Sequence, residues 1–198
     1  MQGLADGYFV LPYTIQNYLA DQIQVPRFST DAPEFVAAEK AVNEKIAKLM
    51  AIKGTRSVDS IHKELGLVMW DNVGMARTKE SLEKALKEID RVEKIFWSEL
   101  RIPGEADTLN IELEKALRLL DFIEIGRLMA YDALNREESC GGHFREEHQT
   151  EEGEAKRDDE NYSYVACWKY TGQGQEPELI KEDLNYQYIK VQQRNYKN

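Results

Sequence analysis

Apolar residues recur at three- and four-residue intervals through most of the first 136 positions, and the pattern then gives way to partial alternation. In residues 1–22, Leu4, Leu11, Ile15 and Leu19 fall at helical spacing with Tyr8 and Tyr18 beside them. Gly3, Gly7 and Pro12 interrupt that stretch, and a proline inside a helix costs about 3 kcal/mol relative to alanine. Such a helix calls for close packing against a parent body, which glycine permits. Residues 23–32, with Pro26, Ser29 and Thr30, read as a linker. Asp31 with Pro33 and Glu34 then signals a helix start.

Three further helices follow from the same periodicity. Phe35, Ala38, Val42, Ile46 and Leu49 form one apolar stripe, ending near Lys53-Gly54. Ser57 opens the next, with Val58, Ile61, Leu65, Val68 and Met69 on one face and Gly74 as its stop. Thr78 caps a third, carrying Leu82, Leu86, Ile89, Val92 and Phe96. The longest is expected from Asp107 or Thr108 to about Leu134, through Leu109, Leu113, Ala116, Leu120, Ile123 and Ala130. Short connections place sequential helices antiparallel, and each stripe is read as core.

After Gly141 the texture changes. Tyr162–Tyr170 and Leu184–Val191 are rich in aromatic and β-branched residues, with turn residues between them, and predict a β-hairpin. A lone hairpin is marginal, so this tail is expected to lie on the helices or on a partner. The fold class is therefore mainly α. The expected architecture is an antiparallel three-to-four-helix bundle over residues 33–136, spectrin-repeat-like. A polar loop and strand-like aromatic tail over 137–198 complete it.

Charge narrows the function. The chain of 198 residues has a formal net charge of −10 and lacks a Lys/Arg-rich run, which excludes nucleic acid as an expected partner. Cys140 and Cys167 do not make a disulfide framework and read as reduced thiols of a cytoplasmic protein. No apolar run reaches the roughly 20 residues a membrane helix needs, and no secretory signal is visible at the N-terminus.

The segment 137–160 holds ten acids against Arg145, Lys156 and Arg157, a local net charge of −7. Such a run is ordinarily solvated or disordered, yet an aromatic cluster follows at once. One metal reading pairs Cys140 with His143, His148 and Cys167, but zinc favours two short-spaced pairs and only one CxxH is present. A Cys140 nucleophile is disfavoured because carboxylates raise a thiol pKa. The reading that fits best makes Arg145 and Arg157 cross-ties of an ordered loop, since guanidinium donors match carboxylates and loop backbone.

The motif ESCGGHFREE…RDDENYSYV resembles the C-terminal domain of the flavoprotein subunits of succinate dehydrogenases and fumarate reductases, whose pattern is ESRGxHxRxD, a spacer, then RDDxxW. Glu138, Ser139, Gly141, His143, Arg145, Arg157, Asp158 and Asp159 stand at matching positions. Upstream, Glu64–Thr78 is similar to the end of the preceding helix, and MQGLADGYFVLPYT to the last helix of the flavin-binding domain. Cys140 replaces the arginine of ESRG, and the spacer from Glu146 to Lys156 is longer and more acidic.

The resemblance implies an intact parent carrying FAD, with no cofactor expected in this piece. The parent would interconvert succinate and fumarate and pass electrons to an iron–sulfur subunit and a quinone-binding cytochrome subunit. The flavin fingerprint and the dicarboxylate-binding residues would precede Met1. Ser139, Gly141, His143, Arg145, Arg157, Asp158 and Asp159 would then form a domain or subunit interface motif, on a protein peripheral to the cytoplasmic membrane face. Two alternatives stay open at this point: a free-standing acidic helical adaptor, and the tail of an L-aspartate oxidase-like flavoenzyme.

Overall fold

The computed structural model describes residues 1–172 and 174–192. It divides into two units, Met1–Lys45 and Ile46–Asn198, and is mainly helical with two small two-stranded sheets.

In the first unit, residues 2–18 form a helical run in which short α stretches alternate with π turns, and after a bend at Leu19 a 3-10 turn covers residues 20–24. Pro12 lacks the N–H that a continuous helix needs, and the Thr14 hydroxyl donates to the Val10 carbonyl at 2.8 Å. Tyr8, Phe9, Tyr13 and Tyr18 are all mostly exposed. Helix α1, Pro33–Ala51, starts with proline at its first position, where the fixed φ suits a helix and no bond is lost. Its predicted apolar stripe is not core along its first half. Phe35 and Val42 stand about half exposed, because the first unit has no apolar layer to cover them. Only Ile46, Leu49 and Met50, in the second unit, reach the core.

The second unit is built on α2 (Val58–Asn72), α3 (Lys79–Glu99) and α4 (Ile111–Asn135). Ser57 caps α2 by accepting from the Ser60 N–H. Thr78 and Ser81 cap α3 reciprocally, as residues of these types do at helix starts. The capping at Thr78 is as expected from the sequence. The start of α4 is not: it begins at Ile111, beyond Asp107 and Thr108. Asn110 decides this. Its side-chain oxygen accepts from the Leu113 N–H at 3.1 Å, while its amide donates to the Pro103 and Glu105 carbonyls.

Backbone bonds between Arg56 and the Glu99–Arg101 segment join the start of α2 to the end of α3. At the other end, the Ser81 hydroxyl donates to the Asn72 carbonyl at 3.0 Å. The two helices therefore run antiparallel. Along α2 and α4, His62 stacks on Phe122 at 5.1 Å and Met69 packs over Gly126. Those pairs advance together, so α2 and α4 run in the same direction. Between the three helices lie Ile61, Leu65, Leu82, Ile89, Phe96 and Leu119, among other buried residues.

Strands β1 (Ala76–Arg77) and β2 (Phe144–Arg145) pair in parallel. A one-turn helix, α5 (Asp159–Tyr162), precedes the hairpin of β3 (Tyr164–Lys169) and β4 (Glu178–Asp183). The first strand lies where the alternation predicts it. The second lies earlier, at ELIKED rather than at Leu184–Val191. Gly172 and Gly174, both at positive φ, let the connection close after eight residues, bringing Cys167 opposite Ile180. The shorter loop also loses less entropy on closure. Tyr188 and Ile189 are left exposed beyond it. Among the described residues, no helix is long and apolar enough to cross a membrane.

Two glycines give a contrasting prediction. A Cβ at Gly54 would fall 1.9 Å from the Glu99 carbonyl oxygen, in the bridge that ties α2 to α3. One at Gly66, in mid-helix, would meet nothing within 4 Å. Gly54→Ala is expected to cost at least about 1–3 kcal/mol, and Gly66→Ala to stabilise by up to about 1 kcal/mol. Urea unfolding of the two variants checks both signs.

Candidate functional site

The site begins with the way α4 ends. A helix leaves its last four carbonyls without intrahelical donors, and no glycine follows Asn135 to turn the chain into a capping motif. Arg136 leaves in extended conformation instead. The missing donors come from Arg145, which is 1% exposed. Its Nη1 donates to the carbonyls of Ala133 and Leu134 at 3.1 and 3.2 Å, and more weakly to that of Arg136. A cation at this position also meets the negative end of the helix dipole.

The backbone of Arg145 is held from the other side. The Arg145 N–H donates to the Ser139 hydroxyl oxygen at 2.8 Å, and that hydroxyl donates to the Arg145 carbonyl at 3.0 Å. Ser139 is fully buried. Gly141 makes the return possible: its φ of +60° falls at the first central position of the turn closed by Cys140 and His143, a position that favours glycine. The His143 ring then bonds the Arg136 carbonyl through Nε2 at 2.8 Å.

A second layer ties this loop outward. Arg136 pairs with Glu138, which is 2% exposed, and donates to the Tyr162 carbonyl at 3.1 Å. The other oxygen of Glu138 accepts from the Asp158 N–H at 2.8 Å. Asp158 in turn caps α5 through the Asn161 N–H. Arg145 Nε reaches Glu147 at 3.3 Å, and Glu147 accepts from the Lys79 N–H at the start of α3. A carboxylate there suits the positive end of a helix. Arg157 pairs with Asp159 and donates to the Gln192 carbonyl at 3.3 Å, anchoring the tail rather than the loop.

Of the residues singled out in the sequence, Ser139, Gly141, His143 and Arg145 therefore form one cluster. Asp158 joins it through Glu138, while Arg157 and Asp159 form a separate pair at its edge. Arg136, Glu138, Glu147 and Arg77 complete the arrangement. Glu138 stands at a matching position of the family pattern and Arg77 within the similar Glu64–Thr78 segment, but none of the four was singled out as a site residue; for Arg136 and Glu147 the available signal was their place beside the motif. Cys140 and Cys167 are free thiols, and no group of three His, Cys, Asp or Glu suited to a metal occurs among the described residues.

The electrostatics follow from burial. Burial pushes the His143 imidazole below its ordinary value, and Arg77, Arg145 and Arg136 add to that; the bond to the Arg136 carbonyl opposes it. For Glu147, burial acts upward, but the Lys79 N–H and Arg145 outweigh it and hold the carboxyl below its usual range. These groups engage one another within the loop. Chemically the arrangement holds helix ends and strands together.

A family model described as fumarate reductase flavoprotein C-term matches residues 62–196. The fumarate reductase flavoprotein subunit of Serratia sp. is 27% identical over 177 residues, covering 89% of this chain and 29% of the relative. The succinate dehydrogenase flavoprotein subunit of Bacillus subtilis is 25% identical over 164 residues, covering 82% and 26%. In three dimensions the chain is similar to a chain of E. coli quinol fumarate reductase. The TM-score is 0.67 at 23% identity, over 84% of this chain and 27% of that one. That likeness shows the fold alone. This chain spans less than a third of the length of these relatives.

Arg145→Ala would leave the Ala133 and Leu134 carbonyls without their side-chain donor and take one donor each from the Arg136 carbonyl and Glu147. The expected loss is about 1–3 kcal/mol or more, from buried carbonyls left unsatisfied, read by denaturant unfolding, and Arg145→Lys is not expected to restore it because one ammonium cannot span both sets. For His143 the folded-state pKa lies below the unfolded value of about 6.5. The unfolded chain thus binds more protons, so the His143 contribution is complete above pH 6.5 and is lost as pH falls below it. His143→Gln should flatten stability from about pH 6.5 to 5, while loss from Glu147 continues at lower pH.

Proposed function

From the membership of this chain in the fumarate reductase flavoprotein C-terminal family, we propose that it serves as the C-terminal helical domain of a succinate dehydrogenase or fumarate reductase flavoprotein subunit. Its own role is structural. It supports the flavin-binding domain and the surface on which an iron–sulfur subunit assembles. The intact parent would carry FAD, interconvert succinate and fumarate, and pass electrons through that subunit to a membrane quinone site. It would lie peripherally on the cytoplasmic face of the membrane. An up-and-down course of α2, α3 and α4, spectrin-repeat-like in outline, belongs to the same reading.

One observation carries the structural role: the motif side chains are already engaged within the chain. Arg145 is committed to helix carbonyls and His143 to the Arg136 carbonyl. Glu138 is held between Arg136 and the Asp158 N–H. Groups so engaged do not fit a flavin or a dicarboxylate, and no catalytic step is assigned to them. What they supply is a rigid join between the end of α4, the start of α3 and the hairpin. Rigid joins of this kind support assembly rather than chemistry.

The test is a blot of source-cell extract, split into soluble and membrane fractions, with an antibody to this chain. A band several times heavier than 22.9 kDa in the membrane fraction is expected. A soluble band at the size of the chain itself would overturn the reading in favour of a free-standing adaptor.

A further inference from the structure

A cleft of about 720 Å³ opens between the end of α4, the loop that follows it and the hairpin. That volume falls within the roughly 300–1,000 Å³ of small-molecule sites. Such sites are mostly lined by apolar groups, whereas this one is mainly polar. Lys156 and Arg157 reach it from the loop and Lys181 from β4, with His148 beside them. Three cations thus line one cleft in a chain of net charge −10. Two carboxylates, Glu137 and Asp158, share the lining. Both oxygens of Asp158 are engaged by Asn161, and Glu137 is exposed.

The cations differ in what they are free to hold. Arg157 directs Nε and Nη2 to Asp159 and Nη1 to the Gln192 carbonyl, so its fork is filled. Among the described residues, neither Lys156 Nζ nor the His148 ring has a partner. The Lys181 ammonium lies 4.2 Å from the centroid of the Tyr164 ring and makes no ion pair among the described residues. Both lysines are exposed. Like charges gathered on one cleft repel, and a multiply charged anion between them turns that repulsion into attraction. The free donors select its class. A planar carboxylate is matched by a guanidinium fork, and here Asp159 already occupies the fork. Two ammoniums are compact point charges with rotatable donors, a set that suits the tetrahedral oxygens of phosphoryl groups.

We propose that this cleft binds a small anion of the pyrophosphate type, held by the Lys156 and Lys181 ammoniums with the His148 ring as a further donor. Because Lys156 belongs to the loop and Lys181 to β4, the bound anion ties the hairpin to the loop. The site is built within the second unit alone and does not depend on the function proposed above.

Calorimetric titration of the 198-residue chain with inorganic pyrophosphate, at low ionic strength, tests it. Saturable binding is expected, and the double variant Lys156→Gln/Lys181→Gln should weaken it by about ten-fold or more. Lys84→Gln/Lys87→Gln removes the same charge from the exposed side of α3 and should leave the affinity within about two-fold. The backbone amide resonances of His148, Lys156 and Lys181 should shift during the titration while those of α2 stay in place. The melting temperature of both variants should lie within about 2 °C of the unsubstituted chain, since exposed substitutions cost little; a lost site is thereby told from a lost fold. Absence of saturable binding overturns the proposal, as does affinity unchanged in Lys156→Gln/Lys181→Gln. Equal weakening in the two double variants overturns the cleft in favour of general charge attraction. Succinate bound as tightly as pyrophosphate overturns the phosphate class.

Discussion

The constraint on which the second unit depends is the open end of a 25-residue helix. Carbonyls that lose their intrahelical donors must find others or be solvated, and here the end of α4 lies against a loop rather than in water. Arg145 resolves this from ten residues downstream. Because its side chain must reach back to Ala133 and Leu134, the intervening segment has to reverse, and the Cys140–His143 turn is where it does so. The same residue forms β2, so the reversal also sets the β1–β2 pairing, with Arg77 opposite Arg145.

This explains how a segment of net charge −7 can be ordered. Its acids are not a uniform cloud. Glu138 is buried on Arg136 and the Asp158 N–H, Glu147 sits at the start of α3, and Asp158 caps α5. Each meets either a guanidinium or backbone donors at a helix start, where negative charge is favoured. Others, Glu151 and Glu160 among them, stay exposed, where their repulsion is screened. The aromatic tail is tied in by the same means: Trp168 Nε1 donates to Asp132 at 2.6 Å and its ring meets Tyr131 edge-on at 5.1 Å.

The two units differ in how far they satisfy themselves. Ile46–Asn198 has a continuous core and an internally bonded loop. Met1–Lys45 keeps its tyrosines, phenylalanines and leucines mostly in solvent, around a helical run broken by π turns. Large apolar side chains left in that state are characteristic of surfaces that another body covers.

Periodicity alone determined that α2, α3 and α4 exist, since apolar spacing and caps such as Ser57 and Thr78 act within one or two turns. The motif around Gly141 likewise pointed to an ordered loop, and Arg145 to one of its cross-ties, whereas Arg157, read the same way, ties the tail. What the sequence could not determine was set by contacts between distant residues. The start of α4 depends on bonds from Asn110 to Pro103 and Glu105. The second strand of the hairpin depends on which segment the glycine turn delivers to β3, not on which has the better strand composition. The first half of α1 carries a core-like stripe with no layer over it, because periodicity reports a capacity for burial and not the presence of a partner. For the same reason the role of Arg136, and of Glu138 beyond its match to the motif, was not legible: a charge acquires a role only from what tertiary structure brings within hydrogen-bonding distance of it.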